Sequence, residues 1–344
     1  MKILYQIPSL DTIYAGRSIY YGYKHAFEDM GHIFRPLTAD DNQKKVMEEY
    51  EPDILITSIG PYTFKYLDLE LVKEQKKKGM KVFVNTPFWK AVFAKTRISE
   101  VRGLVDNKEY INLITSGDFG DVYYSCCEQE DPRMDGFERT TGYPCHTVLL
   151  AVDQQIPEPN YNAKFACDVS FIGTYLPEKR EFMQDHLFPL KRTYDVKIYG
   201  RDWTAYDRFL NFSMKVGQYY NMPYLKSFKK FKPTLEEERE LHLSSTVALN
   251  IHNNKIGLSD LNERTFKIPA SGGFEIVDNV PTLHKYFVDG VDMTIAKDTD
   301  DWFAKIEFYI KNPEKRIPII AAGKVKVLKE HTYHNRVSQL LTYL

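Results

Sequence analysis

Residues 246–277 read TVALNIHNNKIGLSDLNERTFKIPASGGFEIV. Thr246-Val247-Ala248-Leu249-Asn250-Ile251 is a short apolar run of the kind that makes a buried strand. It opens into the polar residues His252, Asn253 and Asn254. A helical stretch follows, with Arg264 in its first turn and Gly272-Gly273 closing it. Phe274-Glu275-Ile276-Val277 is a second apolar run. Strand, helix and strand in this order form one βαβ unit, and such units build a parallel sheet covered by helices on both faces.

The same alternation runs through the rest of the chain. Before it stand the apolar runs Asp168-Val169-Ser170-Phe171-Ile172-Gly173 and Val196-Lys197-Ile198-Tyr199-Gly200, each ending in glycine. The helix after the first of these starts at Pro177, a permitted first-turn position. A charged helix is expected over 233–243, with its glutamates at the favourable end. In the first half, Ile3–Ile7, Ile54–Ile56, Lys81–Asn85, Ile111–Ile114 and Val122–Ser125 read as strands. Arg17–Met30 and Leu69–Lys78 read as helices, closed by Gly31 and Gly79. The polar stretch Gln154–Asn160 holds Pro157 and Pro159 and reads as a linker. The expected architecture is α/β, with two doubly wound Rossmann-like domains facing across a cleft. The boundaries are 1–155, 156–322, and a C-terminal helical segment 323–344.

Length and composition agree with this. The chain has 344 residues, enough for about two domains. Apolar residues make up 43% and charged residues 27%, as in ordinary globular proteins. A formal charge of −1 lacks the basic excess of a dedicated nucleic-acid binder. No apolar run is long enough to span a bilayer, and the N-terminal run is too short for a secretion signal, so the chain reads as cytoplasmic. Cys126, Cys127, Cys145 and Cys167 have neither Cys-x-x-Cys spacing nor histidines at zinc-binding distance, and read as reduced thiols.

In open α/β sheets, ligands sit beyond the carboxyl ends of the strands, so polar residues just after strands are the ones to weigh. Asn250, His252, Asn262, Arg264 and Thr265 are the densest such group. A helix start offers free N–H groups to an anion. Arg264 adds a two-pronged cation; it is equally placed to pair with Asp260. Gly173 and Thr174 follow one strand, and Lys179-Arg180 one turn later would neutralise a diphosphate. Gly200 follows another, with Trp203 available for stacking or for core packing. Ala15-Gly16-Arg17-Ser18 lacks the glycine pattern of dinucleotide folds and the P-loop lysine. Neither a Gly-x-Ser-x-Gly elbow nor a His-Glu-x-x-His motif occurs. Asp298 reads as a helix cap, and His331 with His334 as a weak metal pair.

The ordered set Ser170-Phe171-Ile172-Gly173-Thr174, Tyr199-Gly200-x-x-Trp203, Leu249–His252, Asn262-x-Arg264-Thr265-Phe266, Pro269–Phe274 and His331-Thr332-Tyr333-x-x-Arg336 resembles the CgeB-like (spore-maturation-protein-like) glycosyltransferases of the GT-B fold. The resemblance spans roughly residues 165–340. It implies a nucleotide-sugar donor, UDP-sugar favoured, held by the second domain without metal or other cofactor. Gly173, Thr174 and Arg180 would lie near the diphosphate, and Gly200 and Trp203 near the base. Asn250, His252, Asn262, Arg264 and Thr265 would line the sugar and phosphate side. Ser271, Gly272 and Gly273 would belong to the helix shaping the pocket. Where retaining relatives carry a glutamate near the donor ribose, this chain has Lys267. An ammonium accepts no hydrogen bond, so either Lys267 meets phosphate or Glu263 or Glu275 holds the ribose.

The expected reaction is transfer of a sugar from a nucleotide diphosphate to an acceptor hydroxyl on a glycan, protein, small molecule or nucleic acid. Arg264 and His252 are the candidate catalytic groups, with Asp118 and Asp11 as candidate bases. Asp11, Gly16 and Arg17 form the expected acceptor side. The alternatives are a nucleotide-sugar epimerase or hydrolase on the same frame, and a non-catalytic module binding nucleotide-sugar or nucleic acid. The second is kept open by Lys267, and the basic-aromatic run Lys226–Lys232 leaves room for nucleic acid or a polyanionic glycan as acceptor.

Overall fold

The structure is a computed structural model that describes residues 1–10, 15–60, 63–90, 103–155, 157–175, 180–226, 228, 233–252 and 260–344. Two compact units divide the chain. The first comprises 1–149, 217–223 and 333–344; the second comprises 150–216 and 224–332.

The first unit contains β1 (Lys2–Gln6), α1 (Ala15–Asp29), β2 (Ile33–Leu37), α2 (Gln43–Tyr50), β3 (Ile54–Ser58), α3 (Leu69–Lys77), β4 (Lys81–Asn85), α4 (Lys108–Thr115), β5 (Val122–Ser125), α5 (Phe137–Thr141) and β6 (Cys145–Thr147). Its parallel sheet has the order β2-β1-β3-β4-β5-β6. Pro36 lies in β2, an edge strand, where a missing N–H is tolerated. Asn42, Asp68 and Asn107 cap α2, α3 and α4 by accepting backbone N–H groups.

That last cap corrects one expectation. Residues 111–114 are not a strand but the centre of α4, because Asn107 accepts the N–H of Tyr110 and starts a helix. Ile111 and Ile114 then stand three apart and pack on the core as one helix face.

The second unit contains β7 (Cys167–Ile172), α6 (Arg180–His186), β8 (Val196–Tyr199), α7 (Ala205–Tyr219, its last three residues counted in the first unit), α8 (Pro223–Lys226), α9 (Leu235–Ser244), β9 (Ser245–Asn250), α10 (Arg264–Ala270), β10 (Glu275–Asp278), α11 (Leu283–Tyr286), β11 (Thr294–Ala296), α12 (Thr299–Lys311) and α13 (Pro313–Glu330). The strand order is β11-β10-β9-β7-β8, again parallel. The order reverses between β7 and β9, which makes their carboxyl ends the topological switch point. Val169, Phe171, Val247, Leu249 and Ile276 form the buried centre. Thr234 and Glu237 close a reciprocal capping box at the start of α9, and Asp298 caps α12.

The segment expected over 323–344 divides. Helix α13 stays in the second unit, where Gly323 lies so close to Asp292 that a Cβ would come within 2.5 Å of its carbonyl oxygen. Helix α14 (Tyr333–Leu341) packs on α1 in the first unit. Its Tyr333 ring covers Gly22, and Arg336 donates Nε to the Leu149 carbonyl at 2.9 Å.

Candidate functional site

The polar network lies at the carboxyl edge of the second sheet. Asn250, at the end of β9, is completely buried. Its Nδ2 donates to Glu275 Oε1 at 2.8 Å and to Thr265 Oγ1 at 3.1 Å. Its Oδ1 accepts Asn262 Nδ2 at 2.8 Å and Arg264 Nε at 3.0 Å. Arg264 also donates from Nη2 to the Ile251 carbonyl at 3.1 Å. The guanidinium lies 5.5 Å from the Phe171 ring centroid, and Nη1 is 3.5 Å from where a Cβ on Gly173 would stand. A cation is thus held between the carboxyl ends of β7 and β9, at the switch point. The alternative pairing with Asp260 is not what orients it; an amide oxygen and a carbonyl do so.

The helix start is not an open anion seat. The N–H of Arg264 goes to Asn262 Oδ1, that of Thr265 to the Asn262 carbonyl, and those of Phe266 and Lys267 to the Glu263 carbonyl. Asn262 therefore acts as a local cap. The cation offered at this point is the Arg264 side chain.

His252 is not available as a base. Its side chain is 4% exposed, and both ring nitrogens are engaged. Nδ1 lies 2.9 Å from Asp278 Oδ1, and Nε2 lies 2.9 Å from Thr265 Oγ1. A carboxylate accepts, so Nδ1 carries the proton and Nε2 accepts the Thr265 hydroxyl hydrogen; that tautomer is inferred from the network. His252 is a positioning residue for Thr265.

Lys267 meets carboxylates. Its Nζ lies 2.9 Å from Glu263 Oε2 and 3.6 Å from Glu238 Oε2, with all three side chains largely buried. Burial works against the ammonium, but Glu238 and Glu263 raise its pKa. Burial alone would raise Glu238, yet Lys267, His242 and Arg264 together hold it at about 2. Glu263 is raised, because burial outweighs its pairing with Lys267. Glu275 is pushed up to about 8 by burial, opposed by the Asn250 bond and Arg264. Its Oε2 is buried and has no hydrogen-bond partner among the described residues.

The turn after β7 gathers a second group. Gly200 has a φ of +127°, and a Cβ there would stand 2.0 Å from the Gly173 carbonyl oxygen. Glycine is needed on both counts. Trp203 donates Nε1 to that same oxygen at 2.9 Å and stacks on Tyr175 with centroids 4.7 Å apart. Arg180 places its guanidinium 5.2 Å from the Tyr175 centroid, and its buried Nε has no partner among the described residues. Gly173, Gly200, Trp203 and Arg180 are therefore brought together, with Thr174 inside the turn. Arg264 reaches the same turn through Gly173.

Other expected residues fall elsewhere. Ser271, Gly272 and Gly273 close α10 at the end opposite Arg264; a Cβ on Gly273 would stand 2.6 Å from the His242 carbonyl oxygen. They fix how the helix leaves the sheet and do not join the polar network. Asp118 lies between α4 and β5, at the amino edge of the first sheet, beside Lys73 at 4.0 Å. A helix-to-strand loop in a parallel sheet is always at that edge, so Asp118 is not a base at the carboxyl-edge crevice. Gly16 and Arg17 lie in the first turn of α1, after β1, with Arg17 exposed and over Tyr21. Asp11 lies outside the described residues, as do Lys179 and most of the 226–232 run. His331 stacks between Phe266 and Phe287, while His334 bonds Asp29 at 2.8 Å. No group of three His, Cys, Asp or Glu able to hold a metal ion occurs among the described residues.

Two residues escaped the sequence reading: Glu238 and Asp278. Asp278 had a usable signal, being the polar end of an apolar strand. Glu238 had none, since it is one of several glutamates in α9 and meets Lys267 only through folding.

Residues 179–342 match the family model described as glycosyl transferase-like. No curated protein matches the sequence. Among solved structures, HepE of Anabaena in complex with UDP-glucose is similar at 10% identity and a TM-score of 0.63, covering 100% of both chains. An alpha-glucosyltransferase in complex with UDP and a 13-mer DNA containing an HMU base is similar at 12% identity and a TM-score of 0.65, over 100% of this chain and 99% of that one. Sucrose-phosphate synthase of Thermosynechococcus elongatus is similar at 10% identity and a TM-score of 0.65, over 99% and 97%. At such identities the likeness is one of fold, and the fold is GT-B. Residues 179–342 thus form a glycosyl transferase-like domain in a chain of this fold.

Proposed function

We propose that the protein transfers a hexosyl group from a UDP-sugar to an acceptor hydroxyl, with the donor on the second unit and the acceptor on the first. The observation that carries this is Arg264, held at the β7–β9 switch point by Asn250 and Ile251 and aimed at the turn 173–175. Glycosyl transfer leaves positive charge on the sugar and negative charge on the departing diphosphate. A preorganised cation at that leaving group lowers the barrier most, because it needs no reorganisation as charge develops. Arg264 supplies that cation without a metal, and Arg180 adds a second beside Tyr175 and Trp203. Uridine diphosphate in HepE and in the alpha-glucosyltransferase supports the choice of donor.

Asn250, Asn262, Thr265 and His252 form the shell that holds Arg264 in place. Lys267 is internally neutralised, so donor ribose falls to another group; Glu263, whose Oε1 has no partner among the described residues, is the nearest carboxylate along the helix. Gly16 and Arg17, after β1, stand on the acceptor side. The CgeB-like subfamily is supported by the order of the motifs quoted above.

A thermal-shift panel of UDP, GDP, dTDP, ADP and CMP sugars tests the donor. Ligands that bind only the folded state raise Tm by mass action. Selective stabilisation by uridine nucleotides, weakened in Arg264→Ala, is the expected result. Absence of any shift would count against a donor site. Release of free sugar at an undiminished rate without acceptor would identify a hydrolase instead.

A further inference from the structure

Helix α7 is apolar on its outer side. Asn211, Ser213 and Met214 are buried, whereas Phe209 is 60% exposed and Phe212 66% exposed. Ala205, Phe209, Phe212 and Val216 recur at spacings of four, three and four, which places them on one stripe of a helix. Tyr206, 63% exposed, stands in the first turn beside it. Two small polar groups, Asn211 and Ser213, thus face inward while two phenylalanines face outward.

The charge along this stripe is one-sided. Arg208 and Lys215 lie seven residues apart, on the same border. The single acidic residue of α7, Asp207, turns to the helix start, where Oδ2 accepts the Thr204 N–H at 3.2 Å. Tyr224 of α8 is 73% exposed and meets Phe228 edge-on. The sequence that follows adds Lys226, Lys229, Lys230 and Lys232 without an acid before Pro233.

We infer that the outer face of α7 docks on an anionic lipid surface, as an interfacial helix and not a spanning one. Helices of this kind lay an apolar stripe at the headgroup boundary, with Lys and Arg on the flanks meeting lipid phosphate. Phe209, Phe212 and Tyr206 supply the inserting groups, and Arg208 and Lys215 the electrostatic ones. Among the described residues no helix is long and apolar enough to cross a membrane. The face protrudes from a helix, whereas single-stranded nucleic acid takes a basic groove. Two copies meeting antiparallel through it would bring their basic borders together. This inference does not rest on the donor site.

Co-sedimentation of the full chain with phosphatidylcholine vesicles, with and without phosphatidylglycerol, tests it. The protein is expected to partition onto the phosphatidylglycerol vesicles at low salt and to leave them as screening rises. The Phe209→Ser/Phe212→Ser and Arg208→Glu/Lys215→Glu pairs are each expected to lower the partition coefficient by roughly tenfold or more, with Tm unchanged. Should either pair fail to fold, Phe212→Trp gives a direct readout. Its added fluorescence should shift to the blue with vesicles and be quenched by brominated lipid. Lack of partition onto any vesicle, or partition unaffected by both pairs, overturns the inference. So does binding to single-stranded DNA without vesicle binding, or a dimer that the Phe209→Ser/Phe212→Ser pair dissolves.

Discussion

Arg264 and Asn250 are joined by a 3.0 Å hydrogen bond from Nε to Oδ1, and Asn250 is wholly buried. The arginine is thereby aimed by a buried side chain whose amide nitrogen and oxygen are both hydrogen-bonded. Three of the four hydrogen bonds of the Asn250 amide go to Asn262, Arg264 and Thr265 in the same loop–helix segment, and the fourth goes to Glu275 in the next strand. The cation is registered to the sheet, not to a loose loop.

Arg264→Ala is expected to lower turnover by about 10²–10³, the range seen when one preorganised charge-stabilising group is removed. Folding should survive, since Asn250 keeps its bonds to Glu275 and Thr265. Initial rates of UDP release, read beside Tm, check this. A variant turning over at the wild-type rate would remove Arg264 from the leaving-group site.

Glu275 gives the fold a pH dependence of known sign. Its pKa is about 8 in the folded chain, above the ordinary carboxylate value of about 4.3 in the unfolded one. The folded state therefore keeps a proton that the unfolded state loses, and stability falls as pH rises through that window. Glu275→Gln keeps an acceptor for Asn250 and removes the titration. The Tm of the variant relative to wild type should climb from pH 5 to pH 8 and then level off; parallel profiles would refute the assignment.

Lys267→Met leaves Glu238 and Glu263 buried without their cation. Removing one partner of a buried ion pair costs roughly 3–5 kcal/mol. Urea denaturation should show a loss in that range, and the double variant Lys267→Met/Glu263→Gln should recover part of it. A loss of under about 1 kcal/mol would mean that the ammonium contributes no more than a surface pair.

Gly200→Ala tests the close approach of the turn after β8 to the turn after β7. The new methyl would stand 2.0 Å from the Gly173 carbonyl oxygen, on a backbone with φ of +127°. Strain of this kind costs of order 1–3 kcal/mol, and relief would push Gly173 away from Trp203 and Arg264. Weaker nucleotide binding by calorimetry, out of proportion to the loss in Tm, is expected. Unchanged affinity would detach this turn from the donor site.

Most of the parallel-sheet architecture could be read from short apolar runs ending in glycine or a polar residue, because that pattern is imposed by burial on both faces. The α4 segment misled for a local reason. Ile111–Ile114 is short enough to suit either period, and only the Asn107 cap settles it. The error carried Asp118 with it, since a residue after a strand and a residue after a helix lie at opposite edges of a parallel sheet. In the site, Arg264, Asn250, Asn262 and Thr265 were legible as polar residues beyond a strand. Their division of labour was not: in sequence His252 reads as a catalytic group, and Lys267 either meets phosphate or yields the ribose to Glu263 or Glu275.

Local order along the chain thus settled most of the strands and helices and that an arginine follows the end of β9. Those are properties of burial periodicity and of neighbours in sequence. The strand order that makes this edge the switch point came from the tertiary structure. Which polar atoms satisfy one another was decided by packing between distant segments: Glu238 with Lys267, Asp278 with His252, and the Gly173 carbonyl with Trp203. The reason is energetic. A buried polar group must find a partner wherever the fold brings one, and sequence proximity does not specify where that is.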